Sequence, residues 1–197
     1  MESVFIELCK HGYMKDIIKW TNQCNIDIHY NEERGFRLAC CGGYLNIVEY
    51  LTNFYKYHLY ETSNTIIDIH INEEEGFRLA CSNGHYNVVK YLVNLYKNHT
   101  FYTKININVR NEEGIKMACK YNHLNIIKYL MKLYMHSDYD KITINDKYPF
   151  PRIMSTNSRV AIFLLSIGSN YNNYHNYRQY RASFNRDPPY AYKIIIL

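Results

Sequence analysis

NEEEGFRLACSNGHYNVVKYLVNLY, residues 72–96, decides the fold. Asn72 and the glutamates behind it, Glu73, Glu74 and Glu75, read as a helix start. An Asn side chain accepts hydrogen bonds from free backbone N–H groups, and carboxylates suit the positive end of the helix dipole. Phe77, Ala80 and Cys81 recur at i, i+3 and i+4 and give this helix one apolar stripe. Asn83 and Gly84 end it, since both tolerate the left-handed conformation of a tight C-cap. Val88, Val89, Leu92, Leu95 and Tyr96 mark a second helix. So short a connection forces the two helices antiparallel and into contact.

Working outward, the unit repeats. NEERGFRLACCGGYLNIVEYLTNFY starts at Asn31, and a looser NEEGIKMACKYNHLNIIKYLMKLY starts at Asn111. Ala39-Cys40 and Ala118-Cys119 stand where Ala80-Cys81 stand, small enough to let neighbouring backbones approach. The second-helix stripe returns as Ile47, Val48, Leu51 and Phe54, then as Ile126, Ile127, Leu130 and Leu133. Ahead of each unit runs a segment of period two: Ile26-Asp27-Ile28-His29, Ile67-Asp68-Ile69-His70 and Ile105-Asn106-Ile107-Asn108. One such helix pair cannot cover its own apolar face, so the copies must stack. The fold class is therefore all-α, a solenoid of helix-turn-helix units with short extended, β-hairpin-like fingers between them.

These residues resemble ankyrin repeats. The family pattern T-P-L-H-x-A-A-x-x-G-H-x-x-[IV]-V-x-x-L-L runs over Arg34 to Cys40, Gly43, Tyr44, Ile47, Val48 and Leu51, and over Glu75 to Cys81, Gly84-His85, Val88-Val89 and Leu92. The chain departs from it in two ways. The Thr-Pro start is missing, and Arg37, Arg78 and Lys116 occupy the place of the family's bracing His, which leaves the helix start to Asn-Glu-Glu. The variant motif is similar to the ankyrin proteins of giant DNA viruses of amoebae, which implies a viral protein directed at a host protein in the host cytoplasm.

The resemblance implies a non-catalytic scaffold for protein–protein interaction, with partners meeting the finger tips and the exposed face of the first helices. Carried over by position, the partner-binding residues are Tyr30, Asn31, Glu33, Cys41 and Gly42; then Ile71, Asn72, Glu74, Ser82 and Asn83; then Arg110, Asn111, Glu113, Lys120 and Tyr121.

The 197 residues divide into an abbreviated N-terminal repeat (1–30), three repeats (31–71, 72–110, 111–144), a degenerate C-terminal repeat (145–168) and a Tyr/Asn/Arg-rich tail (169–197) without helical period, much of it expected to be disordered. Equivalent cysteines lie 31 (Cys9 to Cys40), 41 (Cys40 to Cys81) and 38 residues apart (Cys81 to Cys119). The extra residues fall after the second helices, which are expected to be longer and to run into polar loops. The start has no basic, long apolar leader and no stretch reads as a membrane span, so the expected setting is a reducing, cytoplasmic one with the chain a monomer.

Little here resembles a reaction site. Cys9, Cys40, Cys81 and Cys119 share one repeat position, and adjacent helices sit about 8–10 Å apart, too far for a disulfide. No C-x-x-C, H-E-x-x-H, G-x-S-x-G or phosphate-cradling glycine loop occurs. No cofactor, metal or catalytic residue is expected. The net charge of +5 is modest. The alternative function, nucleic-acid binding, would rest on the tail, where Tyr177, Arg178, Tyr180, Arg181, Phe184 and Arg186 mix rings with cations.

Overall fold

A computed structural model of the chain describes residues 1–24, 26–54, 66–100 and 102–135. The expected C-terminal repeat (145–168) and tail (169–197) lie outside them. Among the described residues every regular element is a helix: α1 (Glu2–His11), α2 (Met14–Gln23), α3 (Tyr30–Gly42), α4 (Leu45–Thr52), α5 (Ile71–Ser82), α6 (Tyr86–Asn98), α7 (Val109–Lys120) and α8 (Leu124–Met135). They form four antiparallel pairs. The first helices α1, α3, α5 and α7 pack side by side as an inner layer, and α4, α6 and α8 neighbour one another in an outer layer. The expected lengthening of the second helices appears in α6 and α8 but not in α4, which ends at Thr52 although its repeat has the widest cysteine spacing.

The predicted stripes are the core. Ala39, Ala80 and Ala118 are each 0% exposed, as are Phe36, Phe77, Cys40 and Cys81. In the outer layer Ile47, Val48, Leu51, Val88, Val89, Leu92, Ile126, Ile127 and Leu130 are buried. Val93 and Met131 join them, so these helices bury a wider stripe than the sequence pattern suggested.

Besides the buried alanines, a helix-interior glycine lies at each seam between inner helices. A Cβ built on Gly76 would lie 2.9 Å from Cε1 of Phe36 and 3.2 Å from Sγ of Cys40. One on Gly35 would lie 2.7 Å from Phe5, and one on Gly114 2.8 Å from Phe77. Each phenylalanine edge is thus seated on the bare backbone of the next repeat. Glycine in a helix costs about 1 kcal/mol against alanine, and here that cost admits an aromatic ring.

The Asn-Glu-Glu runs are not ordinary helix starts. No side chain caps α3 or α5. Asn31, Glu32 and Glu33 have φ of 55°, 58° and 57°, and Asn72, Glu73 and Glu74 have 51°, 57° and 54°. Each run is a left-handed turn that feeds the right-handed helix behind it. Left-handed backbone costs a residue with a Cβ about 1–2 kcal/mol, so three in a row need support from outside.

Arg37 supplies it. Its Nε donates to the carbonyl of Glu32 (2.7 Å) and its Nη2 to that of Asn31 (3.0 Å). Arg78 clamps Glu73 and Asn72 in the same way, at 2.9 and 3.0 Å. The third guanidinium nitrogen crosses to the next repeat, Arg37 Nη1 to Glu75 (2.6 Å) and Arg78 Nη1 to Glu113 (2.7 Å). The arginines standing at the family's His position therefore brace neighbouring repeats themselves.

The left-handed residues also fix the register of the third copy. There φ is positive at Arg110 and Glu112, and buried Glu112 matches buried Glu33 and Glu74. Arg110 is thus the equivalent of Asn31 and Asn72. Aligning the three Asn-Glu-Glu strings places the third copy one residue late.

The fingers alternate as expected. Ile26, Ile28, Ile67, Ile69, Ile105 and Ile107 are buried, while Asp27, Asp68 and Asn106 face water. The polar residue turns the chain: His29 N–H donates to Asp27 Oδ1 (2.9 Å), His70 N–H to Asp68 Oδ1 (2.9 Å) and Asn108 N–H to Asn106 Oδ1 (3.0 Å).

Candidate partner surface

Two rows of residues border the inner layer. One is formed by the left-handed turns and their approach. Tyr30 is 48% exposed, Asn31, Asn72 and Arg110 are exposed, and Ile71 is half-buried. The row is continuous across repeats, because Asn72 Nδ2 donates to Glu32 (3.0 Å) and Arg110 Nε to Glu73 (2.9 Å).

The other row lies at the C-terminal ends of the inner helices. Cys41, Gly42 and Ser82 are half-buried, while Asn83, Lys120 and Tyr121 are exposed, Tyr121 by 50%. Asn83 Nδ2 reaches the carbonyl of Cys41 (3.0 Å), so residues 42 positions apart in sequence meet here. Lys120 lies over the Tyr121 ring, 5.1 Å from its centroid. Between the rows Leu38, Leu79 and Met117 are half-buried at one repeat position.

Three expected contact residues do not belong to this surface as free groups. Glu33 and Glu74 are 5% and 7% exposed. Glu33 Oε1 accepts from His29 Nδ1 (2.7 Å) and from the N–H of Asp68 in the next finger (3.1 Å), while its Oε2 is buried with no hydrogen bond. Glu74 Oε1 accepts from His70 Nδ1 (3.1 Å) and the N–H of Asn106 (3.4 Å). The left-handed turn rotates these carboxylates inward and leaves Glu32 and Glu73 outside. In the third copy the register shift makes Glu113 the half-buried partner of Arg78. For Asn111 only its place in α7 is described. The turn residues that sequence reasoning missed are therefore Glu32 and Glu73, and no residue type alone would have marked them.

Behind this surface the seams are occupied by structure. His85 Nε2 donates to the carbonyl of Cys41 (2.8 Å) and His123 Nε2 to that of Ser82 (2.9 Å). Each ring lies against the left-handed glycine of the repeat before it, Gly43 and Gly84. The Gly-His residues are thus bracing groups, as the repeat pattern implies. Burial pushes the thiols of Cys9 and Cys119 up to about 12, and those of Cys40 and Cys81 upward too. A thiol held in that form is a poor nucleophile.

In the outer layer hydroxyl groups link the helices. Thr21 and Thr52 donate back to the carbonyls of Ile17 and Val48 (2.9 Å each), so the phenols of Tyr50 and Tyr91 donate to them, at 2.6 and 2.7 Å. At the third junction Asn94 Nδ2 donates to the Tyr129 hydroxyl (2.8 Å). Part of the tyrosine content is thereby spent inside the stack.

Among the described residues no group of three or more His, Cys, Asp or Glu side chains is placed to hold a metal ion, and no helix is long and apolar enough to cross a membrane. No curated protein and no solved structure matches the chain. A family model described as ankyrin repeats (3 copies) matches residues 38–146, more than half of the sequence. Ankyrin repeats are in general protein–protein interaction modules and typically non-catalytic. With its paired helices, stacked inner layer and seams braced at the Gly-His turns, the chain belongs to the ankyrin-repeat family.

Proposed function

We propose that the protein is a non-catalytic binding scaffold whose partner, a protein, lies across the two rows that border the inner helices. One observation carries this reading: the seams hold their chemistry from copy to copy while the exposed rows change. Gly35, Gly76 and Gly114 are invariant at the seam, and Ala-Cys follows in all three repeats. Over the same repeats the rim positions run Tyr30, Ile71 and a buried Val109; Asn31, Asn72, Arg110; Cys41, Ser82, Lys120; and Gly42, Asn83, Tyr121. A stack that fixes its seams and varies its rim presents a new face without changing its core.

The contact residues are Tyr30, Asn31, Glu32, Ile71, Asn72, Glu73, Arg110, Lys120 and Tyr121, with Cys41, Gly42, Ser82 and Asn83 around them. Tyr121 beside Lys120 is the expected anchor, since aromatic rings with a polar tip concentrate binding energy at interfaces. A host protein as partner, and with it a viral role in a host cytoplasm, is the finer form of this reading. The Asn-, Ile-, Lys- and Tyr-rich composition fits an AT-rich genome.

Quantitative affinity capture tests the scaffold reading. The wild-type chain should retain a partner that the double variant Lys120→Glu, Tyr121→Ala releases, with unchanged thermal unfolding. Equal capture by both chains would overturn this placement of the surface.

A further inference from the structure

The outer layer carries a feature that the inner-face scaffold does not use. An open groove of about 390 Å³ lies between α4 and α6, lined by Leu45, Asn87, Lys90, Tyr91, Asn94 and Asn98. Five of the six come from α6, whose outward face reads Asn87, Lys90, Asn94, Lys97, Asn98 at helical spacing. The neighbouring α8 continues it with Lys128 and Lys132. Neither helix contains an acidic residue, and Glu49, the one carboxylate on α4, does not line the groove.

We propose that this groove is a second docking surface, for an extended acidic polypeptide segment of a partner protein. The lysines set the charge. Lys90 and Lys97 are exposed and stand two helical turns apart, about 10 Å, and Lys132 is exposed on the next helix. The amides set the kind of acid. Asn94 spends its Nδ2 on the carbonyl of Lys90 (2.7 Å) and on the Tyr129 hydroxyl (2.8 Å), so the group it offers a ligand is Oδ1, an acceptor. A phosphodiester has no hydrogen to give that oxygen, whereas a peptide N–H does. Asn87 and Asn98 are exposed and add donors and acceptors in the same line. Tyr91 is fixed by its bond to Thr52, so its ring is a preformed part of the wall. The chain's own C-terminal segment is set aside by charge, since Arg178, Arg181, Arg186 and Lys193 outweigh Asp187.

This inference rests on the scaffold reading only in taking the partner to be a protein; the face is a different one. The test is fluorescence anisotropy with a short labelled Asp/Glu-rich peptide against the full chain. Saturable binding is expected, weakening as salt rises. The double variant Lys90→Glu, Lys97→Glu should lose about tenfold or more in affinity, Lys132→Glu about threefold and Asn87→Ala about threefold, each with unchanged thermal unfolding. Lys120→Glu, on the inner face, should leave peptide binding as it was. No binding of the peptide overturns the proposal. So does equal binding of its Gln/Asn counterpart, tighter binding of a single-stranded oligonucleotide or of anionic vesicles, or a loss with Lys120→Glu that the α6 variants do not show.

Discussion

The inner and outer layers join the same four repeats by different means. In the inner layer each junction seats a phenylalanine on a glycine, and the two junctions between α3, α5 and α7 add an arginine that holds a strained turn on one side and a carboxylate on the other. In the outer layer a junction adds to its apolar stripe a single hydroxyl hook, and the hook's partner drifts from Thr21 and Thr52 to Asn94. The difference locates what sets the stacking geometry. The insertions that stretch the cysteine spacing fall after the outer helices, where loop closure grows costly only slowly with length and the inner seats are undisturbed.

The largest effect should come from emptying a seat. Phe77→Ala removes a fully buried ring that lies against Gly114, and should cost about 3–5 kcal/mol in urea unfolding. A cost no larger than that of an outer-layer hook would break the contrast between the layers. Arg78→Met comes next. It keeps most of the stem but removes the bonds to the carbonyls of Asn72 and Glu73 and to Glu113. Hydrogen bonds to charged groups are worth about 1.5–3 kcal/mol each, and these are partly open to water, so a total near 2–3 kcal/mol is expected. Backbone amide exchange should rise first at residues 72–74. Loss of stability without that local change would mean that the clamp does not hold the turn.

The inner seam explains which parts of the fold were legible in sequence. The apolar stripes, the small Ala-Cys pairs and the period-two fingers were readable because burial imposes a period on residue type. The turns were not. Asn followed by glutamates satisfies every local preference for a helix N-terminus, and only Arg37, five or six residues on, makes the left-handed path affordable. The same blindness misplaced the third copy, where the string Asn-Glu-Glu begins one residue after the structural equivalent of Asn72. Gly35, Gly76 and Gly114 did carry a signal, a helix-interior glycine recurring in register; a recurring glycine asks what lies against it. For the rows that border the inner helices, side-chain orientation was not readable, which is why Glu33 and Glu74 were expected outside and lie within.

Overfilling the seam should cost less than emptying it. Ala80→Leu adds bulk at a residue with no exposure, and about 1–3 kcal/mol of destabilisation is expected from thermal or urea unfolding. The cysteines beside it sharpen the point through pH. Cys9 and Cys119 keep their protons to about 12 in the folded chain, against 9.0 for an ordinary thiol. Below pH 9 both states are protonated and the thiols contribute no slope. Between pH 9 and 12 the unfolded chain releases protons that the folded chain retains, so stability falls as pH rises, by up to about 1.4 kcal/mol per pH unit for each such thiol. Urea midpoints from pH 8 to 10.5 should show this slope, and Cys9→Ala should make it shallower. An identical slope in the variant would place the alkaline loss elsewhere.

The smallest effect belongs to the outer hooks. Thr52→Val keeps the shape of a fully buried side chain and removes the hydroxyl that Tyr91 bonds at 2.7 Å. About 0.5–1.5 kcal/mol should be lost, since the Tyr91 phenol is half-buried, lies 3.4 Å from Asn53 Nδ2 and can turn toward water. Tyr91→Phe should cost about as much, and the double variant little more than either alone, because both remove one bond. Additive losses would mean that Thr52 and Tyr91 act separately. The outer layer would then be held by its apolar stripe alone.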